Sequence, residues 1–273
     1  MDRSRLLETG GFNELAHSDA GYLLYNTHDV YIGRSIAKYG RYAGIEARFL
    51  ERLCASGDNV IEVGANIGAH TVAIARRVGP QGRVLAFEPQ RLVFQALCAN
   101  VALNSLANVD CHWAAVGRTR GAASVPELDP NQAANFGGVS LANVAQGRSV
   151  PCFTLDDFVA MPQLKLVKID VEGMEQDVLA GGTRILGKLK PVLYVENDRV
   201  DRSESLMRAI DALGYRMYWH TPPLFDPHNP YGDGEDLFPN VRSFNLLCVH
   251  RERAIEVAGC EAVKDFTQHP LRR

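Results

Sequence analysis

The sequence lacks both a long apolar run and an excess of positive charge. No stretch approaches the roughly 20 apolar residues that a membrane-spanning helix needs, and the first residues, MDRSRLLE, lack the apolar core of a signal peptide. With 29 Lys and Arg against 32 Asp and Glu the net charge is −3, whereas nucleic-acid binding favours a basic face. We therefore expect no membrane insertion and no nucleic-acid partner.

Paired cysteines are also missing. The six cysteines are dispersed and form no C-x-x-C motif: Cys54, Cys98, Cys111, Cys152, Cys248 and Cys260. Most lie in apolar stretches, as buried thiols do. This pattern predicts a reducing, cytoplasmic setting and no zinc site. We also expect no other bound metal, because Asp170, Glu196 and Asn197 have no metal-specific spacing.

The sequence does contain an alternation of strand and helix patterns. Its 273 residues, 46% of them hydrophobic and 22% charged, are enough for one α/β domain with or without an appendage. From residue 59 onward, short apolar runs alternate with helical periodicity, which predicts a mostly parallel sheet with helices on both faces. The last two strands, 215–219 and 244–249, have no helix between them and should form an antiparallel hairpin at one edge.

The chain before this alternation predicts a small extension. Residues 1–20 are polar and should form a poorly fixed arm or a short helix. The β-rich runs 22–25 and 29–32 flank a polar turn and predict a hairpin, and 45–53 has apolar residues at helical spacing. We expect three parts, namely an N-terminal arm, hairpin and helix at 1–54 packed on the core, a core domain at 55–250 and a tail at 251–273.

A strand, a tight glycine turn and a helix follow one another within residues 59–70. The apolar run VIEV ends at Gly64, Gly68 follows, and a helical pattern begins at once. Glycine lets the backbone turn sharply and approach a ligand closely. The turn lacks the third glycine of G-x-G-x-x-G, so a dinucleotide is the weaker interpretation.

Acidic residues stand at the ends of several predicted strands, where open α/β sheets bind their ligands. Glu62 lies within an apolar strand, where a carboxylate needs partners; the alternative is a solvated acid at a strand edge. Glu88 ends the next strand, and a carboxylate there can accept hydrogen bonds from two ribose hydroxyls. Asp170 and Glu172 follow a later strand, although Glu172 also suits a helix cap, and Glu196 ends another strand.

The histidines and the loops have open interpretations. His70 follows the glycine turn, and His220 ends a strand before a Pro-rich loop at 221–240 that is suited to cover a site. A lone histidine is more often structural than catalytic. The segment 135–140, Asn-Phe-Gly-Gly-Val-Ser, is equally consistent with a ligand-contacting loop and with an exposed hairpin turn.

Four stretches together resemble the FkbM family of S-adenosylmethionine-dependent methyltransferases. They are VIEVGANIG at 60–68, VLAFEP at 84–89, KIDVEGME at 168–175 and PVLYVEN at 191–197, and THDVYIGRS at 27–35 resembles a subgroup. The first two are shared by class I methyltransferases in general, whereas KIDVEG makes the resemblance specific. It covers roughly residues 22–250. It implies a Rossmann-like class I methyltransferase fold with a seven-stranded sheet, and S-adenosylmethionine as the cofactor.

The resemblance also implies roles for individual residues. Methyl transfer in this family typically goes to a hydroxyl oxygen, so we expect a small molecule, natural product or sugar as acceptor. We expect Asp170 as base or orienting residue, with Glu196 and His220 in reserve. The expected cofactor residues are Glu62, Gly64, Ala65, Asn66, Gly68, His70, Thr71, Glu88, Pro89, Ala115, Asp170 and Glu172.

Other functions stay open at this point. A small amine is the alternative acceptor within the methyltransferases. Outside them, the alternatives are an NAD-dependent oxidoreductase, which the missing third glycine disfavours, and a non-catalytic binding module. Acceptor choice should lie in the loop at 221–240. A homo-oligomer is also left open, because this loop and the 1–40 arm are suited to pack against a partner subunit.

Overall fold

The N-terminal extension forms a small sheet and two helices. The computed structural model describes residues 5–8, 10–141, 144 and 146–272, so residues 1–4 and 9 of the predicted arm lie outside it. The extension comprises the antiparallel strands β1 (Arg5–Glu8), β2 (Asn13–Ser18) and β3 (Gly21–Asn26), and the helices α1 (Ile32–Tyr39) and α2 (Gly44–Leu53). The described part of the predicted arm is therefore largely strand.

The predicted hairpin between 22–25 and 29–32 is wrong. β3 pairs with β2 along its whole length, and residue 32 begins α1. The Oδ1 atom of Asp29 accepts the backbone N–H groups of Tyr31 and Ile32 at 2.9 and 2.8 Å. These bonds turn the chain into a helix although the run is rich in β-formers, because an aspartate competes for local backbone donors.

The core domain continues with strands and helices in alternation. In chain order they are β4 (Asn59–Val63), α3 (Ala69–Val78), β5 (Arg83–Phe87), α4 (Arg91–Leu103), β6 (Val109–His112), β7 (Ala115–Val116), β8 (Gly121–Val125), β9 (Arg148–Phe153), a 3₁₀ helix (Leu155–Phe158), β10 (Leu166–Ile169), α5 (Glu175–Ala180), α6 (Thr183–Leu189), β11 (Val192–Glu196), α7 (Val200–Ala212), β12 (Tyr215–His220), β13 (Asn245–His250), β14 (Glu261–Ala262) and a second 3₁₀ helix (Pro270–Arg272).

The main sheet has the order β14-β12-β13-β11-β10-β4-β5-β6. The strands from β11 to β6 are parallel, whereas β13 is antiparallel to both β11 and β12. This confirms the predicted α/β architecture with its Rossmann-like sheet. The chain winds outward from β4 to β6 on one side and from β10 to β11 on the other, so the switch point lies between β4 and β10. A crevice for ligands opens there at the carboxyl ends of the strands.

The observed sheet differs from the expected one because an additional strand lies outside the hairpin of β12 and β13. The sheet contains eight strands among the described residues, because β14 from the predicted tail pairs with β12 through Tyr218 and Trp219. The hairpin of β12 and β13 is therefore covered at its outer side. An unpaired edge strand offers a row of backbone donors and acceptors, and the tail satisfies part of it.

The two faces of the sheet have different character. One face is apolar and packs against α5, α6 and α7 through residues such as Ile61, Val167 and Ile185. The other face packs against α2 and α3 but includes charged residues, since Lys168 pairs in register with Glu62 and Tyr194 on its neighbouring strands. All three of these side chains are buried. Charges that are buried must be paired, so this row marks the sheet face that carries polar chemistry.

Two amides of α4, Asn100 and Asn104, bind the backbone of β3 and so hold the extension on the core. Asn100 of α4 is fully buried, accepts the backbone N–H of Leu24 at 2.5 Å and donates to the carbonyls of Leu24 and Ile67 at 3.0 and 2.7 Å. This joins β3 to the glycine turn.

Among the described residues, no helix combines the length and the apolar character required to cross a bilayer.

Candidate functional site

Two adjoining cavities open at the carboxyl ends of the parallel strands. The larger has a volume of about 460 Å³ and the smaller about 40 Å³. Both are lined by Gly64, Glu88, Gly137, Asp170 and Glu172, so these residues stand at the junction. The smaller cavity has an apolar lining, which comprises Val63, Phe87, Pro89, Ala114, Ala115, Val116, Val139, Leu141, Val171 and Met174. The larger cavity adds further charged residues to the three that the two share, namely Glu62, Lys168, Glu196, Asp198, Arg199 and Arg242.

The glycine turn forms the floor of the junction. Gly64 has a φ of +81°, and a Cβ there would lie 1.8 Å from the carbonyl oxygen of Asp170. Only glycine fits, because the obstacle is backbone. The N–H groups of Gly64 and Ala65 both donate to the Phe87 carbonyl at 3.0 and 2.9 Å. Gly68 precedes α3 and packs on α4 without lining either cavity, so it shapes the turn.

Glu88 lies where the two cavities meet. Its carboxylate is 3% exposed and accepts the backbone N–H groups of Asn66 at 3.0 Å and Gln90 at 2.8 Å. One oxygen is used for each bond, so each keeps a lone pair for a further donor. Burial raises the pKa of Glu88 to about 7. The group is thus a fixed acceptor whose charge depends on pH near neutrality.

Glu62 is buried in the central strand β4, so the alternative of a solvated edge acid is wrong. One carboxylate oxygen accepts the Thr71 hydroxyl at 2.7 Å, and the other lies 3.8 Å from the Lys168 ammonium. Burial raises the pKa of Glu62, although Lys168 and Thr71 act against the shift. Thr71 itself lines neither cavity. It orients Glu62, which does line the larger one.

Lys168 forms an ion pair with Asp170 along the edge of β10. Its Nζ atom lies 2.9 Å from Oδ2 of Asp170, and the lysine is 2% exposed. Burial acts to raise the pKa of Asp170, but the charge and the hydrogen bond of Lys168 outweigh it and lower the pKa. Asp170 is therefore an ionised carboxylate that faces the larger cavity.

Three carboxylates converge beside this ion pair. The nearest oxygens of Asp170, Glu172 and Glu196 all lie within 4.8 Å of one another. Burial, followed by the charges of Asp170 and Glu172, raises the pKa of Glu196 well above its ordinary value. Burial and Asp170 raise that of Glu172 to about 7. Three carboxylate oxygens at this spacing suit a hard divalent cation. The expectation that the protein binds no metal is therefore not confirmed and stays a prediction.

The acids at 170–175 divide into two roles. Glu175 accepts the backbone N–H groups of Val171 and Gly173 at 3.3 and 2.9 Å, so it caps the turn before α5. Glu172 has a φ of +55°, lines both cavities and forms an ion pair with Arg199 at 2.5 Å. Among the described residues no side chain caps α5, so Glu172 lines the cavities and does not serve as a helix cap.

The placement of His220 at the site is wrong. Its ring lies 4.0 Å from that of Phe49 in a stacked arrangement, and Nδ1 lies 2.7 Å from the Tyr194 hydroxyl. It lines neither cavity, whereas Glu196 lines the larger one. The reason is the strand order, since β13 separates β12 from β11 and α2 covers this part of the face.

Two loops line the cavities, one at 135–140 and the other at 221–244. Gly137 lines both cavities, and the carbonyl of Phe136 accepts the side-chain N–H of Gln90 at 2.7 Å. The segment 135–140 is thus a loop at the site, the first of its two interpretations. From the loop at 221–240 only Leu224 lines the larger cavity, and the residues just after it, 241–244, contribute more.

Sequence reasoning missed several residues of the larger cavity. Lys168 was signalled by a charged residue inside the apolar strand LVKI, as Glu62 was in VIEV. Tyr31, Ile32 and Tyr42 were not signalled, because they reach the cavity only through the fold of the extension. The other cavity residues outside the predicted set are Ala69, Asn135, Gly138, Asp198, Arg199, Leu224, Val241, Arg242, Ser243 and Phe244.

Comparison with known proteins gives one consistent result. The model of the family described as methyltransferase FkbM domain matches residues 62–217. The "Methyltransferase 1" of Beauveria bassiana is 29% identical over 143 residues, which is 45% of this chain and 57% of that protein. This chain thus spans little more than half the length of that relative.

Solved structures show weaker similarity. A methyltransferase FkbM from Methylobacillus flagellatus aligns at 16% identity over 71% of this chain and 44% of that one, with a TM-score of 0.44. A precorrin-6y C5,15-methyltransferase from Geobacter metallireducens aligns at 14% identity over 75% and 86%, with a TM-score of 0.49. Both scores lie below 0.5, and nothing about the site rests on them.

Proposed function

Because the chain belongs to the FkbM methyltransferase family, we propose that it methylates a hydroxyl oxygen of a small molecule, natural product or sugar. It is a methyltransferase with S-adenosylmethionine as its cofactor. The cofactor supplies a methyl carbon that is already electrophilic through the sulfonium. The protein must therefore align the acceptor oxygen with that carbon and manage the proton of the hydroxyl.

The cavities fit this cofactor in an extended arrangement. The smaller apolar cavity, with Pro89 and Ala115, suits the adenine ring. Glu88 at the junction has lone pairs for two ribose hydroxyls, as its fixed carboxylate suggests. The glycine turn with Ala65 and Asn66, together with Glu62, suits the methionine end. The single observation that carries the proposal is this junction, where a buried carboxylate links an apolar cavity to a charged one.

Asp170 suits the orientation of the acceptor. It lies at the tip of β10, lines both cavities and is held ionised by Lys168 at 2.9 Å. An ionised carboxylate accepts a hydrogen bond from a hydroxyl and fixes its direction. Burial and the charges of Asp170 and Glu172 raise the pKa of Glu196 well above its ordinary value, so this carboxyl is the easier of the pair to protonate and suits a contact with a second acceptor oxygen. Glu172 and Arg199 form an ion pair, and both side chains line the larger cavity.

A small amine is the second candidate acceptor. Four carboxylates line the larger cavity close together, namely those of Asp170, Glu172, Glu196 and Asp198, and the cations beside them are Lys168 and Arg199. An ionised carboxylate of this group would attract a cationic amine, although the raised pKa values of Glu172 and Glu196 reduce the negative charge of the group. We place it second because the chain belongs to the FkbM family, whose resemblance implies transfer to a hydroxyl oxygen.

The test is methyl transfer from S-adenosylmethionine labelled in its methyl group. The protein is incubated with a panel of monosaccharides, polyols, phenols and small amines, and labelled products are identified by mass spectrometry. We expect a label on oxygen. A label on nitrogen alone would establish the second candidate. No product from any compound, together with no binding of S-adenosylhomocysteine in calorimetry, would contradict the proposed function.

The variant Asp170→Asn separates orientation from cofactor binding. Loss of the charge should lower turnover about 100-fold, because the amide is a weaker acceptor, with the cofactor dissociation constant within about 3-fold. The matched control is Asp201→Asn, which changes an exposed aspartate of α7 that lines neither cavity and should keep wild-type turnover. Near-normal turnover of Asp170→Asn would remove Asp170 from the proposal.

A further inference from the structure

A third cavity, of about 360 Å³, adjoins the smaller of the two cavities described above. It shares Pro89 and Gln90 with that cavity, and the side-chain N–H of Gln90 donates to the Phe136 carbonyl at 2.7 Å. Phe136 lines the third cavity, whereas the next residue, Gly137, lines the other two. Among the described residues, no carboxylate of the larger cavity lines the third one, so the proposed methyl transfer gives it no role.

The lining of the third cavity is mostly apolar. Of the described residues that line it, nine are apolar and four are polar or charged. Val93, Val125 and Phe136 are buried, and Val93 and Phe136 pack in the core cluster that joins the extension to α4. The side chain of Asn26 also donates to the Pro130 carbonyl at 3.0 Å, which fixes the loop on one side of the cavity. A cavity of about 300–1,000 Å³ with an apolar wall and few polar groups is typical of a small-molecule site.

The charged residues of the third cavity leave an excess of positive charge. They are Arg91, Arg148 and Glu127. Oε1 of Glu127 lies 2.8 Å from Nε of Arg148 and 3.8 Å from Nε of Arg91, so two cations share one carboxylate. The neighbouring Asp129 does not line the cavity, and its carboxylate accepts the backbone N–H of Asn131 at 2.9 Å. One positive charge therefore has no counter-charge in the lining.

Both arginines keep donors for a further anion. Their ion pairs with Glu127 are made through Nε, and among the described residues their terminal nitrogens have no hydrogen-bond partner. The side chains of Arg91 and Arg148 are 38% and 42% exposed, so these nitrogens are not enclosed by the protein. A guanidinium presents its N–H groups as a planar fork that matches the two oxygens of a carboxylate.

We propose that the third cavity binds a small carboxylate with an apolar body, which is the chemistry of a fatty or aryl acid. The carboxylate pairs with Arg91 and Arg148, and the apolar body lies along the wall that includes Phe12, Leu128 and Phe136. A neutral apolar compound would leave the excess charge without a partner, and a small hydrophilic anion would leave the wall uncovered. The site is separate from the methyl-transfer cavities and does not rest on the proposed function.

The first test compares three compounds with the same apolar chain and different head groups. Calorimetry measures the binding of octanoate, 1-octanol and octylamine to the full chain. We expect octanoate to bind at one site, 1-octanol to bind at least about 10-fold more weakly, and octylamine to show no binding. No binding of octanoate at about 1 mM, or equal affinity for octanoate and octylamine, overturns the proposal.

The second test places octanoate in the cavity by substitution. Arg148→Gln should weaken octanoate about 10-fold and leave 1-octanol within about 2-fold, because only the charged fork is lost. Leu128→Trp adds an indole to the wall and should remove the binding of both compounds. The matched control is Arg208→Gln, which changes an arginine of α7 that is also paired with a glutamate but lies outside the cavity. Octanoate binding that is the same in Arg148→Gln and in the control overturns the proposal.

Two measurements keep this test decisive. Binding of S-adenosylhomocysteine by each variant shows that it is folded, and Arg91→Gln, with the same expected loss, replaces Arg148→Gln if that variant is not. Octanoate is also titrated into protein saturated with S-adenosylhomocysteine, where we expect its dissociation constant to stay within about 3-fold. Displacement of octanoate by S-adenosylhomocysteine would place it in the smaller apolar cavity and overturn the proposal.

Discussion

Glu88 shows how one buried carboxylate can link cofactor binding to pH. Its two oxygens are held by backbone N–H groups, so the side chain cannot turn away from the junction. Burial raises its pKa to about 7. Ribose hydroxyls donate, and an ionised carboxylate accepts more strongly than a protonated one, so the cofactor should favour the charged form.

We expect cofactor affinity to rise with pH through this pKa. A carboxyl with a pKa of about 7 is about one-tenth ionised at pH 6 and about nine-tenths at pH 8, so binding should strengthen about 10-fold between them. Calorimetry with S-adenosylhomocysteine measures this. Glu88→Ala should bind about 100-fold more weakly at pH 8 and lose the pH dependence. An unchanged affinity in this variant would refute the ribose assignment.

The glycine turn between β4 and α3 is the element on which the site depends. Gly64 combines a positive φ with a backbone oxygen where a side chain would begin. A left-handed conformation alone is tolerable for some residues, but a backbone obstacle at 1.8 Å cannot move without displacing the tip of β10. Asp170 directly follows strand β10, so a shift of its backbone at the glycine turn would also shift the acidic cluster.

Gly64→Ala should therefore damage both stability and binding. We expect a loss of about 2–4 kcal/mol in the free energy of unfolding, from backbone strain and steric overlap. Urea denaturation measures it. The control is Gly187→Ala in α6, where no atom lies within 4 Å of the added Cβ, and helix propensity should stabilise the protein by about 0.5–1 kcal/mol. Equal effects of the two changes would show that the close approach at Gly64 is unimportant.

At the scale of the whole molecule, the larger cavity has two kinds of wall. The side that we propose for the cofactor comes mostly from residues 62–217, which the family model matches. The opposite side comes from outside that range, from Tyr31, Ile32, Tyr42, Leu224 and 241–244. The extension and the last loop are bound to each other, since the Tyr39 hydroxyl donates to the Glu235 carbonyl and accepts the Leu237 N–H, both at 2.8 Å.

This division predicts two steps of protection in hydrogen exchange. S-adenosylhomocysteine alone should slow exchange in 134–141, which lines both cavities, and leave 222–244 nearly unchanged. Adding the acceptor should then slow 222–244. Peptides from α7, on the other face of the sheet, serve as the control. Protection of both loops by S-adenosylhomocysteine alone would contradict the assignment of the second loop to the acceptor.

The sequence alone identified the cavity residues that we propose for the cofactor. Gly64, Glu88 and Asp170 were identifiable because each stands at the end of a strand that a short apolar run in the sequence predicts. Parallel strands bring their carboxyl ends to one edge of the sheet, so these residues were expected to lie together. The resemblance to the FkbM family depends on the same local stretches. The strand-turn-helix pattern thus determined both the alternating architecture and the edge of the sheet at which the cavities open.

Only the tertiary structure determined the part of the cavity that we propose for the acceptor. It excluded His220, because the order of β12 and β13 removes that residue from the cavity, and it replaced the predicted hairpin by β2, β3 and α1. It also brought Glu46 to His70 and placed Tyr31 and Tyr42 in the wall. These contacts join separate segments of the chain, and no periodic pattern in the sequence relates one segment to the other. They exist only because the extension packs across the sheet face that contains Lys168.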